Sequence, residues 1–151
     1  MISNTETLMV VDDDEFVRKA VSNSLRKRGY NVVEANCGKQ ALSLAATIKL
    51  RLVLSDIMMP GISGIELAQQ IRTTWPSIKI ILMSAYTDDW EVSKKAVLSP
   101  FHFIQNPFLF SELLDYIRSV LNEPNPIIDP ADQRVIPSLN SSVSHSLSSN
   151  A

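Results

Sequence analysis

A single cysteine, Cys37, stands among 151 residues, so no internal disulfide can form and nothing points to an oxidising compartment. It reads as a small side chain in a turn. Long apolar runs are also missing: none approaches the ~18 residues needed to span a bilayer. The polar segment Met1 to Thr7 lacks the charged-then-apolar order of a signal peptide. Positive charge is sparse, with a net charge of −2 and no basic patch longer than Arg26-Lys27-Arg28. That argues against a broad nucleic-acid or membrane-binding surface. What is present is ordinary for a soluble globular chain: 45% apolar and 20% charged residues, in a length that suits one domain with a self-sufficient core. The expectation is a cytoplasmic protein.

From Leu8 to about Asn122, strand-like and helix-like segments alternate. Short apolar runs at Leu8–Val11, Asn31–Ala35, Leu52–Asp56, Ile78–Met83 and Phe101–Gln105 read as strands; the third is apolar on both faces, as a central parallel strand should be. Phe16, Val17, Ala20, Val21, Ser24 and Leu25 recur at helical spacing, and Arg26, Lys27, Arg28 and Gly29 close that helix. Further helices are expected from Lys39 to about Ile48, across Ile65, Ala68 and Ile71 up to Trp75-Pro76, across 88–98 with Thr87 as cap, and through Phe110, Leu113, Leu114, Ile117 and Leu121. Five strands alternating with five helices predict an α/β fold with a parallel sheet covered on both faces. Beyond Asn122, prolines at 124, 126, 130 and 137 and a serine-rich end predict a flexible tail over 123–151; residues 1–7 are expected to be disordered.

In an open α/β sheet, ligands bind at the carboxyl ends of the strands. Strand one ends at Asp12-Asp13, strand three at Asp56, strand four at Ser84, and strand five at Gln105-Asn106-Pro107. Three carboxylates converging on one edge cannot all stay ionised without a cation. Hard oxygen ligands select Mg²⁺ or a similar ion. The run Asp12-Asp13-Asp14-Glu15 then divides: the first two serve the metal, directly or through water, and the last two fall in the first turn of the following helix, where the macrodipole favours negative charge. The plain alternative is four solvated acids at a helix start.

The span from Leu8 to Leu121 resembles the receiver domain of bacterial two-component response regulators. Val-Val-Asp-Asp at 10–13, Leu-Val-Leu-Ser-Asp-Ile-Met-Met-Pro-Gly-Ile-Ser-Gly at 52–64 and Ile-Ile-Leu-Met-Ser-Ala at 80–85 carry the resemblance. It implies a receiver domain over 8–122 with a flavodoxin-like, doubly wound sheet of order 2-1-3-4-5. It also implies that Asp56 accepts a phosphoryl group from a histidine kinase or histidine phosphotransfer protein. Asp12, Asp13, Asp56 and the backbone carbonyl of Met58 would hold Mg²⁺. Ser84 would bond a phosphoryl oxygen and draw its loop inward, and Phe103 would act as a switch aromatic. A face formed by the 88–98 helix, the fifth strand and the final helix would bind a downstream protein effector or a second copy of the chain. The Asn106-Pro107 bond would be cis.

The sequence departs from the family in two places. Asn106 stands where receivers carry a lysine, supplying an amide but no charge. Ser99-Pro100 replaces the usual Gly-Ala ahead of strand five, which puts the loop's ordinary coupling in doubt. Two readings follow: a phosphorylated switch with altered signalling, or a degenerate receiver acting as a phosphate-independent adaptor. An aspartyl phosphatase is disfavoured because Ile57 and Met58 leave no acid two residues after Asp56. Exposed Trp90 would contribute to a partner surface, and His102 is given no role. Met1 favours a stand-alone protein over a fragment of a hybrid kinase.

Overall fold

The computed structural model describes residues 6–85 and 101–124, together with two short backbone stretches at 127–128 and 135–136. The expected 88–98 helix, Trp90 and Ser99-Pro100 lie outside the described residues. Elements run β1 (Thr7–Val11), α1 (Glu15–Lys27), β2 (Asn31–Ala35), α2 (Gly38–Thr47), β3 (Leu52–Asp56), α3 (Gly64–Thr74), β4 (Lys79–Ala85), β5 (His102–Asn106) and α4 (Phe110–Leu121). Four helices are therefore described where five are expected. The five strands form one parallel sheet in the order β2-β1-β3-β4-β5.

Strand periodicity sorts the core into two layers. Met9, Val11, Val53, Ile80 and Leu82 pack with Ala41 and Ala45 of α2 and with Leu67, Ala68 and Ile71 of α3. Leu8, Val10, Leu54, Ile81 and Met83 pack with Val21 and Leu25 of α1 and with Leu113, Ile117 and Val120 of α4. One expectation about facing needs correction. On α3, Ala68 and Ile71 are buried as expected, Ile65 packs partly buried against the same core, and Leu67 joins them fully buried. Phe110 was expected inward yet is 43% exposed, because it opens the first turn of α4 ahead of the buried stripe that begins at Leu113.

Local chemistry explains the helix ends. Asp14 caps α1, its Oδ1 accepting from the amides of Phe16 (2.9 Å) and Val17 (3.2 Å). It thus precedes the first turn that it was expected to join, and Glu15 alone supplies the acid there. Gly29, at φ 93°, takes the left-handed position that releases the chain toward β2. Ser63 and Glu66 form a reciprocal capping box at the start of α3, each bond 3.1 Å. Cys37 caps α2, its Sγ accepting from the Gln40 amide at 3.5 Å.

At the amino edge of the sheet two cations hold the chain's exit. Lys79 is buried, and its Nζ donates to the carbonyls of Glu123 and Pro124, both at 2.8 Å. Burial pushes its ammonium below the usual lysine range. Arg51 pairs with Glu6 at 2.7 Å and donates to the Leu121 carbonyl at 3.1 Å, capping the carboxyl end of α4. Beyond this anchor, Ile127–Ile128 pairs antiparallel with Val135–Ile136, a short ladder in a stretch where no regular element was expected. Among the described residues, no helix is long and apolar enough to cross a membrane.

The two-layer packing makes a graded expectation. Leu54→Ala, at a position with no exposure, should lower unfolding free energy by about 2–5 kcal/mol in urea titration. Phe110→Ala should cost less than about 1 kcal/mol, as surface changes do.

Candidate functional site

Parallel register brings the strand ends to one edge. Val11 sits opposite Ser55, Asp56 opposite Met83, and Ser84 opposite Gln105. The residues just past β1 and at the end of β3 therefore meet. One carboxylate oxygen from each of Asp12, Asp13 and Asp56 lies within 4.8 Å of the others, close enough to share a single small cation. Their exposures differ: Asp12 is buried, Asp56 half-buried and Asp13 open to solvent. A site buried at its floor and open on one side suits an ion that keeps some of its water.

Electrostatics at this edge are unfavourable without a counter-charge. Burial first, then the neighbouring charges of Asp12 and Asp13, push the Asp56 carboxyl up to about 6, against the pull of the Ile57 and Met58 amides. Asp12 is also raised, again by burial foremost, although its bond from the Asp14 amide (2.9 Å) opposes the shift.

The loop after β3 is built tightly. The Gly64 amide donates to the Ile57 carbonyl at 2.9 Å, drawing the start of α3 onto the end of β3. A Cβ on Gly64 would collide with the Asp56 carbonyl and the Ile57 backbone, so only glycine fits that approach. Gly61, at φ 79°, makes the turn between them. Within this loop Met58 is 61% exposed beside the acids. Its carbonyl, the fourth ligand implied by resemblance, follows Asp56 by two residues in the same turn.

Ser84 is buried at 4% exposure within β4, which runs through Ala85 rather than stopping at Met83 because its pairing with β5 continues. Asn106 lies opposite Ala85 at the end of β5, half-buried, and the Asn106–Pro107 peptide is cis. Asn106 faces α1 across an open, largely apolar groove of about 580 Å³ that Phe16, Val17, Phe108 and Phe110 also line. Phe103 is half-buried and packs against the α2–α3 layer. Lys94 and Lys95, the nearest lysines in sequence, lie outside the described residues.

Sequence reasoning overlooked one participant. Arg18 donates from Nη1 to the Asp12 carbonyl at 2.9 Å and from Nε to Glu34 Oε1 at 3.1 Å. His102, given no role, lies at the start of β5, away from the acids, and bonds Tyr116 Oη through Nδ1 (3.2 Å) and Glu123 through Nε2 (3.0 Å), a structural tie of β5 to α4. A residue on an expected helix gives no local signal of a partner sixteen positions away on another element.

The raised acid predicts an inverse pH response in metal-free protein. The native state keeps the Asp56 proton to about pH 6, whereas the unfolded chain releases it near 4. Between these values the native state binds more protons, so this carboxyl makes stability fall as pH rises, and the loss persists above pH 6. With chelator present, Asp56→Asn should exceed wild type in stability at pH 7 by on the order of 1–3 kcal/mol. That gap should close below pH 4, as followed by urea unfolding across pH.

Comparison with known proteins agrees with this geometry. The response regulator receiver domain family matches residues 8–118. The Thermotoga maritima cyclic di-GMP phosphodiesterase is 40% identical over 60% of the chain, and sensor kinase CckA of Brucella abortus is 31% identical over 81%. Response regulator MprA of Mycolicibacterium vanbaalenii is 33% identical over 79%. The chain spans only 24%, 13% and 52% of those proteins respectively. Among solved structures, Thermotoga maritima response regulator TrrA in complex with Mg²⁺-BeF aligns at TM-score 0.67 with 33% identity, covering 76% of this chain and 98% of that one. Vibrio cholerae chemotaxis protein CheY4 aligns at 0.68 with 26% identity, covering 78% and 99%. With an acid trio at the carboxyl edge of a 2-1-3-4-5 sheet, the chain belongs to the CheY-like response regulator receiver domain family of two-component systems.

Proposed function

We propose that this receiver takes a phosphoryl group on Asp56 from a histidine kinase or histidine phosphotransfer protein and thereby alters a partner-binding face. The observation that carries the reading is the trio itself, three carboxylate oxygens within 4.8 Å with Asp56 raised to about 6. Such a cluster fits a divalent cation, and Asp12, Asp13, Asp56 and the Met58 carbonyl would hold it. When bound, Mg²⁺ supplies the positive charge that relieves repulsion between the attacking carboxylate and the phosphoryl oxygens. The solved relative TrrA in complex with Mg²⁺-BeF supports that assignment.

The chain's own groups divide the work. Above pH 6 Asp56 is ionised, so its oxygen attacks phosphorus while the phosphorus–nitrogen bond of the donor imidazole breaks and the ring nitrogen keeps the electron pair. The buried Ser84 hydroxyl bonds a phosphoryl oxygen, and Phe103 responds on the same strand pair. Asn106 donates an amide hydrogen without charge, leaving neutralisation more heavily to the cation. The responding face comprises β5 and α4; a downstream effector protein or a second copy would bind there, in the cytoplasm. The sensor kinase relative supports kinase coupling.

One observation favours a second reading, a phosphate-independent adaptor: Asn106 in place of a cation. Exposure to Mg²⁺ and acetyl phosphate or beryllofluoride separates the two. Wild type should gain one phosphoryl group by intact mass, Asp56→Asn none, and Asn106→Lys a larger fraction. No response at saturating metal selects the adaptor.

A further inference from the structure

Arg18 sits one turn into α1, its amide bonded to the Asp14 carbonyl at 2.9 Å. We infer that Arg18 is a positioning residue for the acid trio: gripped by Glu34 of β2, it holds the Asp12 peptide and so sets where the Asp12 and Asp13 carboxylates point. The inference rests on the metal reading above.

The Arg18–Glu34 pair is no loose surface contact, since the two side chains are 12% and 13% exposed. Glu34 also receives the more exposed Lys19 at 3.4 Å and Arg26 at 3.0 Å. Pairing Glu34 through Nε leaves the planar guanidinium its two Nη groups, and Nη1 donates to the Asp12 carbonyl at 2.9 Å. Asp12 is thereby held at three points: its amide bonds Ala35 O at 3.1 Å, its carbonyl takes Arg18, and its Oδ1 takes the Asp14 amide at 2.9 Å. The turn that carries two of the three acids is tied to the neighbouring strand before any ion arrives. Groups that orient a metal ligand in this way typically govern affinity by about 10–100-fold.

Position and charge make opposite demands at Arg18. A cation beside a cation site repels the incoming ion, so by charge alone its removal would tighten Mg²⁺ binding. If its service is orientation, removal weakens binding.

Titration calorimetry of the full chain with MgCl₂, at constant ionic strength, reads that sign. Arg18→Gln should weaken Mg²⁺ binding roughly tenfold or more. Arg18→Lys keeps the charge but loses the fork, and should stay about threefold or more weaker than wild type. It also serves where the glutamine variant folds poorly. Lys19→Gln and Arg26→Gln remove the same charge from Glu34 without touching Asp12, and should stay within about twofold of wild type. In metal-free protein, hydrogen exchange at the Asp14 and Phe16 amides should quicken by about tenfold in Arg18→Gln and not in Lys19→Gln. Equal or tighter Mg²⁺ binding by Arg18→Gln overturns the inference, as does equal loss in the Lys19 and Arg26 variants. Should wild type itself take up no Mg²⁺, the metal reading fails, and exchange alone decides whether Arg18 holds the turn: faster exchange keeps that hold, unchanged exchange removes it.

Discussion

Mutual repulsion among three carboxylates is the constraint around which this domain is arranged. Asp12, Asp13 and Asp56 are brought within 4.8 Å by parallel pairing of β1 with β3. Left alone, such a cluster works against folding, and burial first, then the charges of Asp12 and Asp13, make Asp56 retain its proton to about pH 6. A cation there would reverse the balance, turning a destabilising arrangement into a binding one. The surrounding structure keeps the acids close despite their charge: Gly64 lets α3 press against Asp56, and Asp14 consumes the free amides at the head of α1.

Receivers ordinarily add a lysine at this edge, and here Asn106 supplies an amide in its place. Among the described residues, the positive charge that bears on Asp12 is that of Arg18, which also donates to its peptide carbonyl. An amide at that position brings no charge of its own, which would shift dependence toward a bound ion.

Much of the fold was legible because its signals are local. A continuous apolar run marks strands such as Leu52–Asp56 that are covered on both sides, and Arg26-Lys27 before Gly29 marks a helix stop. Acids at two strand ends point to a shared edge before any coordinates are seen. What was not legible depends on tertiary register. Helical spacing placed Ile65, Ala68 and Ile71 inward, and all three meet the core, but it did not mark Leu67, which is fully buried beside them. Phe110 lies one turn before the buried stripe of α4, so hydrophobicity alone mistook its direction. Lys79 at the head of an apolar strand looks like a boundary residue, whereas it is buried against two carbonyls 44 and 45 positions away. The Arg18–Glu34 link escaped for the same reason.

The hold of Lys79 on Glu123 and Pro124 has a geometric result. It directs the outgoing chain from the pole where the strands begin, while the acids crown the pole where they finish. Five-residue strands separate those poles by roughly 17 Å. A chemical event at the crown therefore lies a full strand length from Glu123 and Pro124 at the root, with the sheet and its packed helices between them.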